Sequence, residues 1–294
     1  MSLGKYKDYS GYLKEIFPFK VQKISINGGF SCPNRDGRLS TGGCTYCNNS
    51  AFNPGYCRGD IAGQLEKGKQ FFSGKYPEMK YLAYFQAFTG TYGTLDELKR
   101  KYEEALSVDD VVGLIIGTRP DCVDAPLLDY LAELSEHTYV CIEYGVESCY
   151  DETLRRINRG HNFATSEQAI RMTASRGIPV CAHLIMGLPG ESREMMLHEA
   201  DILSALPLTL LKLHQLQIVR GTAMAGKYEE SPAAYKLFTP EDYIDLCAEF
   251  LKRLRPDIIV ERFVSQSPSE LLIAPRWGLK NHEFVDKLRK KLIY

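Results

Sequence analysis

The chain carries almost no net charge. Lys and Arg number 36 against 37 Asp and Glu, a formal balance of -1 at pH 7 and a pI near 6.6. That balance argues against binding nucleic acid through bulk charge, and it leaves a local basic patch open. No apolar run reaches the length of a membrane span, and no signal peptide is visible. Linkers, low-complexity runs and internal repeats are also missing. We therefore read residues 1–294 as one domain, with a core over about 20–265 and a C-terminal extension over about 266–294. Nine cysteines, an odd number without an export signal, point to a reducing cytoplasm and to free thiols or metal ligands.

A fourth clustered cysteine is missing too. The stretch CPNRDGRLSTGGCTYC places Cys32, Cys44 and Cys47 at C-x11-C-x2-C on a loop after the predicted strand Val21–Ile26. A structural zinc site needs four ligands, and no His stands at finger spacing. Cys57 follows ten residues later and keeps zinc open. An iron–sulfur cluster normally takes four thiolates, so three would leave one iron free for a small molecule. Inert buried thiols are the third reading. The loop alone is compatible with all three. Cys141 and Cys181 fall in predicted strands and Cys247 on an apolar helix face, which makes those three core residues.

What is present in quantity is alternation. Predicted strands at 81–85, 111–116, 139–144, 178–185, 210–218 and 258–263 are separated by predicted helices at 94–106, 127–134, 165–177, 193–206 and 239–255. Another helix is expected at 61–72, ending near Gly74 and Pro77, and a basic one at 283–292. Residues 1–20 read as an irregular lead-in. Thr94 with Glu97, and Thr165 with Gln168, read as capping boxes, and Asp124 as an N-cap. Strict alternation means right-handed βαβ units and a parallel sheet, open or closed. In such folds the chemistry sits on the loops leaving the strands. Those loops read QAFTGT, GTRPDC, EYGVES and HLIMGLPGE, and the sixth strand carries Lys212, His214 and Gln217. Any one of them is ordinary turn chemistry. All of them meet at one end, beside three cysteines.

The cysteine loop with Tyr46 before its last cysteine resembles the signature of radical SAM enzymes, in the longer-spaced set that includes the catalytic subunit of elongator. CPNRDG, GGCTYC, FQAFTGTY, GTRPDC, INRGH, MGLPGE and APRW together resemble the bacterial YhcC/YtqA-type group, over nearly the whole chain. The resemblance implies a partial (β/α)6-type parallel barrel with short terminal extensions. It implies a [4Fe-4S] cluster on Cys32, Cys44 and Cys47, with S-adenosylmethionine on the open iron and cleaved to a 5′-deoxyadenosyl radical. It also implies cofactor contacts from Tyr46, from Thr89, Gly90 and Thr91 (in place of the usual Gly-Gly-Glu), from Glu147 near the ribose, from Arg159 at the methionine carboxylate, and from His183. A mutual ion pair is the alternative for Glu147 and Arg159. The roles of Cys57, Cys122 and His214 stay open.

For substrate, the resemblance implies a tRNA wobble uridine whose 5-carboxymethylaminomethyl group is remodelled toward aminomethyl. An elongator-type acetyltransferase domain is not expected. A low-potential electron donor of flavodoxin or ferredoxin type is implied, with no membrane partner. Lys280, Lys287, Arg289, Lys290 and Lys291 are candidate phosphate contacts or a solvated helix face. A small-molecule substrate, as in the coproporphyrinogen oxidase-like branch, and a non-enzymatic cluster or zinc module are the competing functions.

Overall fold

The computed structural model of the protein describes residues 6–49, 54–74 and 78–293. Its elements are β1 (Lys7–Asp8), α1 (Tyr9–Ile16), β2 (Val21–Ile26), α2 (Ile61–Ser73), β3 (Lys80–Phe85), α3 (Leu95–Leu106), β4 (Val111–Thr118), α4 (Ala125–Ser135), β5 (Tyr139–Glu147), α5 (Asp151–Arg156), α6 (Phe163–Ala174), β6 (Val180–Met186), α7 (Arg193–Ser204), β7 (Leu210–Gln215), β8 (Ile218–Val219), α8 (Ala223–Glu230), α9 (Pro240–Arg253), β9 (Ile259–Arg262), β10 (Leu272–Ala274) and α10 (Asn281–Ile293). Eight strands form one parallel sheet in the order β1-β9-β7-β6-β5-β4-β3-β2, with β1 and β2 at its edges. The alternation predicts the parallel sheet, and its curl with the flanking helices is the partial barrel that the resemblance implies.

Period-two alternation sorts the strand residues between two cores. Ala83, Phe85, Leu114, Ile116, Val140, Ile142, Ala182, Leu184, Leu211 and Leu213 pack outward against the helices. Leu82, Tyr84, Ile115, Cys141, Cys181, Leu210 and Ile259 pack inward. Cys141, Cys181 and Cys247 are thus core thiols, as expected. Tyr9, Tyr12, Leu13 and Phe17 pack against the inward cluster, so α1 plugs the end of the barrel where the strands begin. Farther along each strand the interior turns polar. The open end is therefore the one from which the cysteine loop and the other strand-to-helix loops depart.

Several local expectations are corrected. Residues 9–16 are helical, with Asp8 capping Gly11 N–H, where an irregular lead-in was expected. The box at Thr165 is not the start of α6. Asn162 is the N-cap and accepts from Thr165 N–H, placing Thr165 inside the first turn. The strand expected over 210–218 breaks after Gln215, where Leu216 N–H turns back to Met186 O, and Ile218–Val219 instead pairs antiparallel with β10. Helices α5 and α8 are additional. Thr94 and Glu97 do form a capping box, and Asp124 does cap α4. Pro77 lies outside the described residues. Among the described residues no helix is long and apolar enough to cross a membrane.

Candidate cluster and cofactor site

The cysteine loop leaves β2 and is stitched to the INRG segment after α5. Thr45 N–H donates to Ile157 O at 2.9 Å. Asn158 donates through Nδ2 to Gly43 O at 2.8 Å, and Asn34 donates back to Asn158 O at 2.6 Å. Gly43 has φ +73°, and a Cβ there would meet the Arg35 side chain at 2.9 Å, so the turn needs glycine. Cys47 N–H donates to Cys44 O at 3.0 Å, a tight turn that brings the two thiols to one side.

Cys32, Cys44 and Cys47 line one cavity of about 200 Å³ at the open end of the barrel. Asn34 Nδ2 and Arg159 Nη1 stand 3.6 and 3.5 Å from Cys44 Sγ, and Asn49 Nδ2 stands 3.8 Å from Cys47 Sγ. Burial, then the neighbouring Cys44, pushes the Cys47 thiol up to about 11, with Arg35 acting against the shift. A bound metal overrides such a preference by deprotonating its thiol ligands outright. The donors aimed at sulfur suit an anionic cluster. Around it Asn34 Oδ1, Thr89 Oγ1, Arg119 Nη1 and Arg159 Nε are buried without a partner among the described residues. Polar atoms of this kind are costly to leave unsatisfied and are ready to meet a polar group in the cavity. Cys57 does not line the cavity; its thiol donates to Ser25 O at 3.1 Å, and burial pushes it up to about 11. That placement fits a three-thiolate cluster better than a four-ligand zinc site.

Tyr46, Thr89, Glu147, Arg159 and His183 line the same cavity as the three cysteines. Glu147 ends β5 at a bulge, with φ +69°, which is unusual for a residue bearing a side chain. Gly145 makes room for it: a Cβ there would meet Glu147 Oε1 at 2.4 Å and Arg159 Nη2 at 2.7 Å. Arg159 is buried, donates to Gly145 O at 2.5 Å, and lies 3.8 Å from Glu147 Oε1. The mutual ion pair is thus long, and both groups keep capacity for a ligand. Gly90 and Thr91 are placed elsewhere. Gly90 packs on Gly117 O, while Thr91 Oγ1 donates to Cys122 O at 2.5 Å and meets Thr118 Oγ1 at 2.5 Å. Thr91 and Cys122 border a larger cleft of about 1250 Å³ that holds none of the three cysteines.

The sequence pointed to His183, Lys212, His214 and the EYGVES loop, but not to Lys23, Glu261 or Arg262, nor to the polar belt that these residues form across the barrel. Buried Glu143 accepts from Lys212 at 2.6 Å, Lys23 at 3.0 Å and His183 Nε2 at 3.1 Å. Glu261 meets Lys23 at 2.7 Å and Lys212 at 3.0 Å. Burial, then Lys212, lowers His183; burial, then Arg262, holds His214 well below its usual range. Both imidazoles are therefore neutral near pH 7. A carboxylate only accepts, so His183 carries its proton on Nε2 and keeps Nδ1 bare. Arg262 Nη2 donates to His214 Nε2 at 2.9 Å, so His214 carries its proton on Nδ1. Glu143, Cys181 and His183 group closely enough to hold a metal ion, but two lysines on Glu143 already supply its positive charge.

Comparison with known proteins agrees with this geometry. The family described as "Radical SAM superfamily" matches residues 32–203, and the one described as "Radical_SAM C-terminal domain" matches 208–294. YtqA of Bacillus subtilis (strain 168) is 38% identical over 292 residues, covering 98% of this chain and 89% of that protein. YhcC of Escherichia coli (strain K12) is 38% identical over 271 residues, covering 92% and 86%. Among solved structures, the archaeal Methanocaldococcus infernus Elp3 with an N-terminal deletion superposes with a TM-score of 0.66 at 17% identity, covering 93% of this chain and 63% of that one. The last is a likeness of fold.

Proposed function

This chain belongs to the radical SAM superfamily, whose members use a [4Fe-4S] cluster and S-adenosylmethionine, and on that premise we propose that it acts on a modified wobble uridine in tRNA, remodelling a carboxymethylaminomethyl side chain toward aminomethyl. The observation that carries the cofactor part is the meeting of Cys32, Cys44 and Cys47 in one cavity with Glu147 and Arg159, while Cys57 stays out. When bound, cluster and cofactor supply one-electron chemistry that ends in hydrogen abstraction from substrate.

In this reading Cys32, Cys44 and Cys47 hold the cluster, and Asn34, Asn49 and Arg159 donate hydrogen bonds to its thiolates. Glu147 accepts from ribose hydroxyls, and Arg159 takes the methionine carboxylate. Thr89 offers its unpartnered hydroxyl, and Tyr46 walls the cofactor from solvent. Gly90 and Thr91 act through the backbone that sets Thr89. His183 offers a bare Nδ1 to a substrate hydrogen. The reading of residues 1–294 as one unit is supported by Lys212 of the C-terminal matched region, which pairs with Glu143 of the first, and by Arg262, which lines the same cavity as the cysteines. All nine thiols are free, which suits a cytoplasmic protein served by a flavodoxin or ferredoxin.

The tRNA part is supported by the motif resemblance and by the Elp3-like fold. Its test is mass spectrometry of tRNA nucleosides from a strain lacking the protein. Accumulated carboxymethylaminomethyluridine with loss of its downstream forms supports the reading. An unchanged nucleoside profile overturns it.

A further inference from the structure

The polar belt contains three permanent cations, Lys23, Lys212 and Arg262, against two carboxylates, Glu143 and Glu261. Each lysine touches both carboxylates, and together they balance them. The two histidines between them add no charge. Arg262 is left over. Its guanidinium donates to the neutral ring of His214, and its Nε is buried without a partner among the described residues. A half-buried guanidinium is costly without a counter-charge.

Arg262 is also held still. Lys212 pairs with Arg262 across β7 and β9. Just beyond, Gln215 and Ser265 exchange two hydrogen bonds of 3.0 and 2.9 Å, and Gln217 donates to Ser265 O at 3.1 Å. His214 adds an Nδ1 proton beside the guanidinium. Both side chains line the cavity that holds the three cysteines.

We propose that Arg262, positioned by His214, is the receptor for one carboxylate on the substrate. The unmatched charge is single, so one carboxylate matches it, and the guanidinium fork suits a carboxylate. This rests on the reading that the substrate is a carboxymethylaminomethyl nucleoside, whose side chain carries one carboxylate. The anchor would fix that side chain at one end while its methylene groups lie toward the cysteines.

The test uses reconstituted full-length protein, wild type, Arg262→Gln and Arg262→Lys. The affinities for tRNA bearing carboxymethylaminomethyluridine and for the same tRNA bearing aminomethyluridine are measured. Wild type should prefer the carboxylate form by roughly tenfold to a hundredfold, the scale of a charged hydrogen-bonded pair. Arg262→Gln should erase the preference, and Arg262→Lys should restore part of it. Equal binding of both tRNAs by wild type overturns the subsite and leaves the tRNA reading standing. A loss of S-adenosylmethionine affinity as large as the tRNA loss assigns Arg262 to the cofactor and also overturns it. The second arm follows thermal melting with sodium acetate, sodium dimethyl phosphate or sodium chloride at equal ionic strength. Stabilisation of wild type by acetate, absent in Arg262→Gln, supports the subsite even if neither tRNA binds, in which case the tRNA reading falls alone. Equal stabilisation by dimethyl phosphate, or an acetate effect that survives in Arg262→Gln, overturns it.

Discussion

The ammonium of Lys23 lies 2.7 Å from the carboxylate of Glu261, although 238 residues separate them in sequence. One side chain stands on an edge strand and the other on β9, at the far side of the sheet. Their contact is possible because the sheet curls, and it bridges strands that share no ladder.

The belt they belong to should be costly to break. Glu143→Gln leaves buried Lys212 and half-buried Lys23 short of a carboxylate, and we expect a loss of about 3–5 kcal/mol near pH 7. Burial acts to raise the Glu143 carboxyl, and Lys212 and Lys23 outweigh it, holding it well below the usual range. A depressed carboxyl stabilises the fold fully above its unfolded value, about pH 4.3, and the contribution fades as pH falls through the folded value. Urea unfolding of both proteins should show a constant gap from pH 7 to 5 and a narrowing gap in more acid solution. A gap that widens on acidification contradicts the assignment.

The second expectation concerns iron. Cys32→Ala, Cys44→Ala and Cys47→Ala should each lose the cluster, and Cys57→Ala should retain about four irons and four sulfides. The Cys57 change removes a thiol hydrogen bond to Ser25 and should cost only about 1 kcal/mol of stability. Metal and sulfide analysis after anaerobic reconstitution checks all four. Iron loss in Cys57→Ala would reopen the four-ligand reading.

The third concerns Glu147 and Arg159. Both Glu147→Ala and Arg159→Ala should weaken S-adenosylmethionine binding by about tenfold while iron is retained. Arg159→Ala also removes a hydrogen-bond donor from Cys44 Sγ, so its cluster should become harder to reduce. Equilibrium dialysis and a redox titration followed by electron paramagnetic resonance separate the two effects. Normal cofactor affinity in both variants would remove these residues from the site.

Most of the fold and the cysteine loop were legible in the sequence because both are local patterns. Alternating strands and helices announce themselves within short windows, and so does C-x11-C-x2-C. The polar belt was not legible, because its partners lie far apart in the chain. Lys23 and Glu143 are 120 residues apart and Lys212 and Glu143 are 69 apart, so the sequence brought Glu143, His183, Lys212 and His214 to one end of the sheet without showing that they pair, and gave no sign of Lys23, Glu261 or Arg262. Helix α1 was hidden for another reason. Tyr9, Tyr12, Leu13 and Ile16 do follow helical spacing, but lysines and Pro18 around them outweighed the short pattern. At α6 two cap signals stood three residues apart, Asn162 and Thr165, and the glutamine at 168 favoured the wrong one.

The last expectation concerns how tRNA is held. The basic face of α10 is already partly matched: Lys287 meets Glu241 at 3.8 Å, Arg289 meets Asp8 at 3.2 Å, and Lys291 meets Asp245 at 3.0 Å. Exposed pairs of this kind are worth at most about 1 kcal/mol, so phosphate can compete for the cations, but the acids stay beside them. Four independent phosphate contacts would each add roughly 0.7–0.9 to the salt slope of binding. We therefore expect replacement of Lys287, Arg289, Lys290 and Lys291 by Ala to lower that slope by about one contact's worth, not four. Filter binding of tRNA at stepped salt concentrations measures it. A fall of about three in slope would make α10 the principal phosphate surface. No change at all would place that surface elsewhere, with the cleft bordered by Arg38, Arg155 and His161 beside the cysteine loop as the next region to substitute.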